Sequence, residues 1–161
     1  MGVVCVMLTV FGLLSLFLRA PYLVLTNAVT NQVLFITRLY EGETFSISHI
    51  HSLNQSPVRE IYEIRDGQIV LISLEFETVG AGMPEGLEPG QTLARLETGG
   101  LRIDGFERAM TDLHLLIGHT AQHTLHIGDL SIPLDTLDRG GQSVQFSSRP
   151  LHIWQRLYFK R

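Results

Sequence analysis

The sequence predicts an all-β fold, a single antiparallel β-sandwich or partly open barrel, preceded by one N-terminal hydrophobic helix. Three observations carry this reading. A continuous apolar run ends at Arg19 and Pro21, and from there apolar residues recur with period two. The alternating runs are short and evenly spaced, with Gly, Pro, Asn and Asp between them, as in sandwiches and small barrels. Asp66-Gly67, set between two such runs, is the strongest hairpin signal in the chain. With 161 residues, 45% hydrophobic and 17% charged, the chain fits one domain at 22–161 behind a short element at 1–21.

The first element is Val3 to Leu18, uncharged and apolar throughout. As a helix it would be roughly 24 Å long at 1.5 Å per residue, slightly short of a hydrocarbon core of roughly 30 Å. A signal peptide calls for a basic start and small residues before the cleavage site; only Met1 and Gly2 precede the run, and Leu18-Arg19-Ala20-Pro21 is a poor site. An uncleaved anchor, with Arg19 snorkelling and Tyr22 near the interface, is the preferred reading over a cleaved signal or a buried helix. Arg19 alone would place the domain on the cytoplasmic side.

The strands follow in order. Tyr22 to Thr26 and Val33 to Tyr40 form a first hairpin, and Thr44 to His51 and Val58 to Arg65 a second. Gln68 to Phe76 is a central strand with Val70, Ile72, Leu74 and Phe76 as its apolar face. A two-residue turn at Asp66-Gly67 would set Ser73 opposite Glu60, and a bulged loop would set Leu74 there; the sequence leaves both open. Gly80 to Gln91 is a loop. Shorter strands lie at Thr92 to Glu97, Leu101 to Asp104, Thr111 to Ile117, His123 to Ile127, Leu130 to Pro133 and Val144 to Ser148, with Pro133 marking an edge or an end. A last strand or short helix with Trp154 covers Leu151 to Phe159.

The charge of -4 and the scattered Lys and Arg residues exclude a nucleic-acid footprint. One cysteine, Cys5, allows no internal disulfide. Gly80-Ala81-Gly82-Met83-Pro84 has no following Lys-Ser/Thr and no helix signal, so its glycines serve backbone conformation rather than phosphate binding. His119, His123 and His126 do not share a face, since His123 and His126 have opposite parity, and nucleophilic catalysis finds no motif.

One arrangement concentrates ionisable groups. With Ser52 to Pro57 as the loop, His51 falls opposite Val58, His49 opposite Glu60, Ile47 opposite Tyr62 and Phe45 opposite Ile64. The apolar faces coincide in this register, and His49 and Glu60 sit side by side on the inner face, within hydrogen-bonding reach. Three uses of His49, His51 and Glu60 are open: a structural hydrogen bond, which is preferred; recognition of a carboxylate together with nearby Arg residues; and binding of a divalent metal. No cofactor is called for.

His51-Ser52, Ser56-Pro57-Val58, Glu60, Tyr62, the strand Gln68 to Phe76 and Gly80-Ala81-Gly82-Met83-Pro84 together resemble the domain of unknown function 1850 family, over roughly residues 22 to 148. His51, Ser52, Glu60, Gly80, Gly82 and Pro84 match its motif positions, which with His49 form the candidate ligand-binding set. The family's members are small bacterial proteins, often with an N-terminal hydrophobic segment, encoded beside TAXI-type TRAP transporters. The resemblance therefore implies a domain in the periplasm on a single-pass inner-membrane anchor. Such an accessory protein would bind the TRAP permease, its substrate-binding protein or a small ligand. A metal-dependent or hydrolytic enzyme using the His/Glu cluster and a stand-alone ligand-binding module are the alternatives.

Overall fold

The computed structural model describes residues 21–78, 84, 86–118 and 120–151. Eleven strands run through them: β1 (Pro21–Asn27), β2 (Val33–Arg38), β3 (Thr44–Ile50), β4 (Pro57–Arg65), β5 (Gln68–Phe76), β6 (Thr92–Arg95), β7 (Leu101–Met110), β8 (Leu113–Leu116), β9 (Thr124–Ile127), β10 (Leu130–Pro133) and β11 (Ser143–Pro150). One short 3-10 turn, Leu134–Thr136, precedes β11. The strands form two antiparallel sheets, neither closed. One has four strands in the order β2-β1-β11-β8, the other seven in the order β10-β9-β3-β4-β5-β7-β6. The predicted hydrophobic helix, the glycine loop at 80–83 and the segment carrying Trp154 lie outside the described residues.

The core forms where the inner faces meet. Leu23 and Leu25 of β1, Val144 and Phe146 of β11 and Leu113 of β8 come from the smaller sheet. Phe45, Ile47, Tyr62, Ile64, Ile69, Leu71 and Leu125 come from the larger one. Phe45 stacks on Tyr62 at 5.1 Å in its own sheet and on Phe146 at 6.3 Å across the interface, so one ring ties the layers together. A second cluster of Val58, Phe76 and Ile103 continues the inner face toward the other end of the larger sheet.

The expected hairpin of β3 and β4 is corrected in its register and in its loop. The β3–β4 register is two residues from the expected one: His49 faces Val58, Ile47 faces Glu60 and Phe45 faces Tyr62. The hairpin tip is tighter than the loop Ser52 to Pro57. The His51 amide donates to the Ser56 carbonyl at 2.9 Å and the Gln55 amide to the His51 carbonyl at 2.9 Å, while Gln55 takes a φ of 49°. A shift of two preserves which side chains face inward, so hydrophobic patterning fixes the face while turn geometry fixes the pairing.

In β5 each opening left by the sequence is met only in part: the loop has two residues, but a bulge inside the strand, not in the loop, sets Leu74 opposite Glu60. Asp66 and Gly67 have φ of 52° and 71°, the two-residue type I′ geometry, with Arg65 paired to Gln68. A bulge at Ile72 then shifts the register, so Leu74 faces Glu60. The inward face is therefore Ile69, Leu71, Leu74 and Phe76, in place of the expected Val70, Ile72, Leu74 and Phe76. The bulge leaves Ser73 fully buried, its hydroxyl donating to the Ile103 carbonyl at 3.2 Å and accepting from Arg102 Nε at 3.0 Å. In β7, positive φ at Gly105 and Glu107 breaks the alternation after Asp104, which is why the sequence shows only the strand's first half.

Candidate functional site

The inner face of the larger sheet is built in rows. Phe76, Val58 and His49 form one row and Leu74, Glu60 and Ile47 the next, with Ile47 continuing to Leu125 of β9. His49 and Glu60 are thus diagonal neighbours rather than an opposed pair. No hydrogen bond joins them among the described residues. The side chain beside His49 is His123, which enters from the segment before β9 with its ring centroid 5.4 Å away, tilted by 36°. That contact is invisible to sequence parity, which compares positions within one strand; β3 and β9 are joined only by folding.

Both imidazoles are held below the ordinary histidine range, His49 by burial and then by neighbouring His51, His123 by burial and then by His49. The Gly118 amide donates to His123 Nδ1 at 3.3 Å, which requires that nitrogen unprotonated. His49 Nδ1 is buried without a hydrogen-bond partner. The neutral forms fit this environment and the cations do not.

The sign of the pH dependence follows. In the unfolded chain these histidines take up protons near the ordinary value of 6.5, but in the fold only at lower pH. Their contribution to stability is complete above the unfolded value and is lost as pH falls through it toward the folded value. Urea melts are expected to show a falling midpoint between about pH 7.5 and about pH 5.5, with a flatter fall in His123→Gln. Equal falls in the two proteins would show that the pair is not responsible.

Glu60 has a different partner. Burial raises its carboxyl above the ordinary range, and the Tyr62 hydroxyl, two residues along the same face, opposes the rise. The Tyr62 phenol is 1% exposed and pushed strongly upward, first by burial and then by the Glu60 charge. Glu60→Ala would remove the polar group beside a buried hydroxyl and is expected to cost about 1–3 kcal/mol. Glu63→Ala, which loses the surface pair with Arg65 at 2.8 Å, should cost at most about 1 kcal/mol. In a Tyr62→Phe background the cost of Glu60→Ala should shrink; an unchanged cost in urea melts would remove the hydroxyl as its cause.

The remaining candidate residues disperse. His51 and Ser52 sit at the β3–β4 tip, where His51 Nδ1 accepts from the Asn54 amide at 3.4 Å and the Ser52 carbonyl accepts from Gln55 Nε2 at 2.6 Å. Pro84 is half-buried, and Gly80 and Gly82 lie outside the described residues. Among the described residues no three His, Cys, Asp or Glu side chains converge as metal ligands. His49 and Glu60 lie half-buried on the core side of the sheet.

The outer face carries a network that sequence reading passed over. His126 Nε2 lies 2.8 Å from Ser48 Oγ and its Nδ1 2.9 Å from Ser131 Oγ. Arg59 Nε donates to Ser46 Oγ at 2.8 Å, and Glu75 stands 4.0 Å from Arg59 and 3.8 Å from Arg102. The available signal was the polar parity of Ser46 and Ser48 in β3, matched by Arg59 in β4. The opposite parity of His123 and His126 holds: one ring faces the core side, the other this outer surface.

Comparison with known proteins gives a family match. No curated protein and no solved structure matches the chain. A family profile described as "Domain of unknown function (DUF1850)" matches residues 45–134, from the start of the β3–β4 hairpin to the turn after β10. This is narrower than the expected 22 to 148, and all the motif positions fall inside it. Since the match spans more than half of the 161 residues, the chain belongs to the domain of unknown function 1850 family.

Proposed function

We propose that this protein is a tethered accessory module of a bacterial TAXI-type TRAP uptake system, held at the inner membrane by Val3 to Leu18. Its β domain sits in the periplasm and binds the permease or its substrate-binding protein. The observation that carries the tether is the chemistry that follows this run in the fold. Immediately after the apolar run, Tyr22 and Tyr40 flank Arg38, whose Nη atoms donate to the two hydroxyls at 3.3 and 3.1 Å. The guanidinium also lies 5.7 and 5.9 Å from the two ring centres. Arg149 pairs with Tyr22 on the other side of β1. Tyrosine and arginine at the base of an apolar segment are the residues that settle at a membrane–water interface. The transporter association rests on the resemblance read from the sequence, and the core-side placement of His49 and Glu60 favours a role exercised through the surface.

Fractionation and co-purification test this reading. The full chain is expected in the inner-membrane fraction, with alkaline phosphatase fused after Arg161 active, and the permease or its binding protein should co-purify. A soluble mature chain beginning near residue 20 would refute the anchor. An inactive fusion would refute the periplasmic placement, and absence of both transporter components from the purified protein would refute the association.

A further inference from the structure

The outer face of the larger sheet has a groove of about 210 Å³ lined by Thr44, Ser46, Arg59, Ile61, His126 and the Gly128 turn. Two groups able to carry positive charge meet there from different strands. Arg59 of β4 leans across to β3, where its Nε is held by Ser46; His126 of β9 is the register partner of Ser46 on the opposite side. We propose that this groove binds the carboxylate of a small organic acid between Arg59 and His126, and that binding is coupled to protonation of His126.

The hydrogen bonds around His126 permit such coupling. A neutral imidazole donates from one nitrogen and accepts at the other, and the imidazolium donates from both. The Ser48 and Ser131 hydroxyls can each donate or accept, so His126 can gain a proton with neither contact broken. Without a ligand, burial and then the Arg59 charge hold the imidazole below its ordinary range. A bound anion would neutralise Arg59 and attract the imidazolium, reversing the second of these effects.

The neighbouring charges favour a monoanion. Glu63 shares this face of β4 but is engaged by Arg65 at 2.8 Å, and Glu75 of β5 stands beyond Arg59 and is shared with Arg102. Asp129 lies in the exposed turn between β9 and β10, while the outer face of β3 and all of β10 carry no charged or titratable side chain. One guanidinium fork and one imidazole between two carboxylates match a single carboxylate better than a phosphate dianion. Ile61 gives the groove an apolar wall for a short carbon chain.

The test is a pH titration of His126 by nitrogen-detected NMR on the full-length chain, with acetate as probe and sodium chloride at equal ionic strength as control. Saturating acetate should raise the His126 midpoint by about one unit, equivalent to about tenfold tighter binding to the imidazolium. Arg59→Gln should abolish the shift, while Arg102→Gln, a change on the same face outside the groove, should retain it. An unchanged midpoint, an equal shift with chloride, or a shift that survives Arg59→Gln would overturn the proposal. A response to inorganic phosphate in place of acetate would overturn the carboxylate assignment.

Discussion

Phe45→Ala is expected to lower the unfolding free energy by about 3–5 kcal/mol, the range for truncating a buried phenylalanine. Phe45 is 2% exposed and is the ring through which Tyr62 in one sheet communicates with Phe146 in the other. Its removal deletes apolar burial and leaves a void bounded by two stacked partners, neither of which can move into it without leaving its own sheet. Urea unfolding of the wild type and Phe45→Ala measures the cost. Phe35→Ala, on partly exposed β2, should cost clearly less. Equal losses would mean that the two sheets are not held together through Phe45.

Gly105→Ala should cost about 2–4 kcal/mol, from strain and overlap together. Gly105 has a φ of 89°, and a Cβ there would meet the Gly90 carbonyl oxygen at 2.6 Å, a backbone atom that no rotamer change can clear. Gly42→Ala is the matched control. Its φ is 78°, but nothing lies within 4 Å of the added carbon, so only the backbone term of about 1–2 kcal/mol applies. Chemical unfolding of the two variants should separate the terms, with Gly105→Ala the more damaging. A reversed order would show that the turn before β6 does not pack on β7 as described.

The strands were legible because their information is local. Alternation marks β3 and β4, and Asp66-Gly67 marks their continuation into β5, so the hairpins are encoded in neighbouring residues. The failures share one physical cause. A bulge at Ile72 and positive φ at Gly105 and Glu107 change parity inside a strand, and the tight tip at Gln55 moves a register by two without exposing any apolar residue. Periodicity is blind to such changes when the hydrophobic score is unaltered. The candidate site suffered most from this. The two-residue shift separated His49 from Glu60 and gave each a neighbour the sequence had not named: His123, from the segment before β9, and Tyr62, two residues away on the same face. His126, set aside as one of three histidines without a common face, joins Ser48 and Ser131 because β9 lies between β3 and β10, a matter of strand order.

On this account His49 belongs to a half-buried, neutral packing arrangement with His123 and is not the partner of Glu60. The most direct measurement is the pH titration of His49 in the folded protein, followed by its imidazole resonances. Burial beside His123 predicts a midpoint below 6.5, the ordinary value, and insensitive to Glu60→Gln. A midpoint above 6.5 that drops on Glu60→Gln would mean that the carboxylate stabilises the imidazolium, and the packing account of this face would be contradicted.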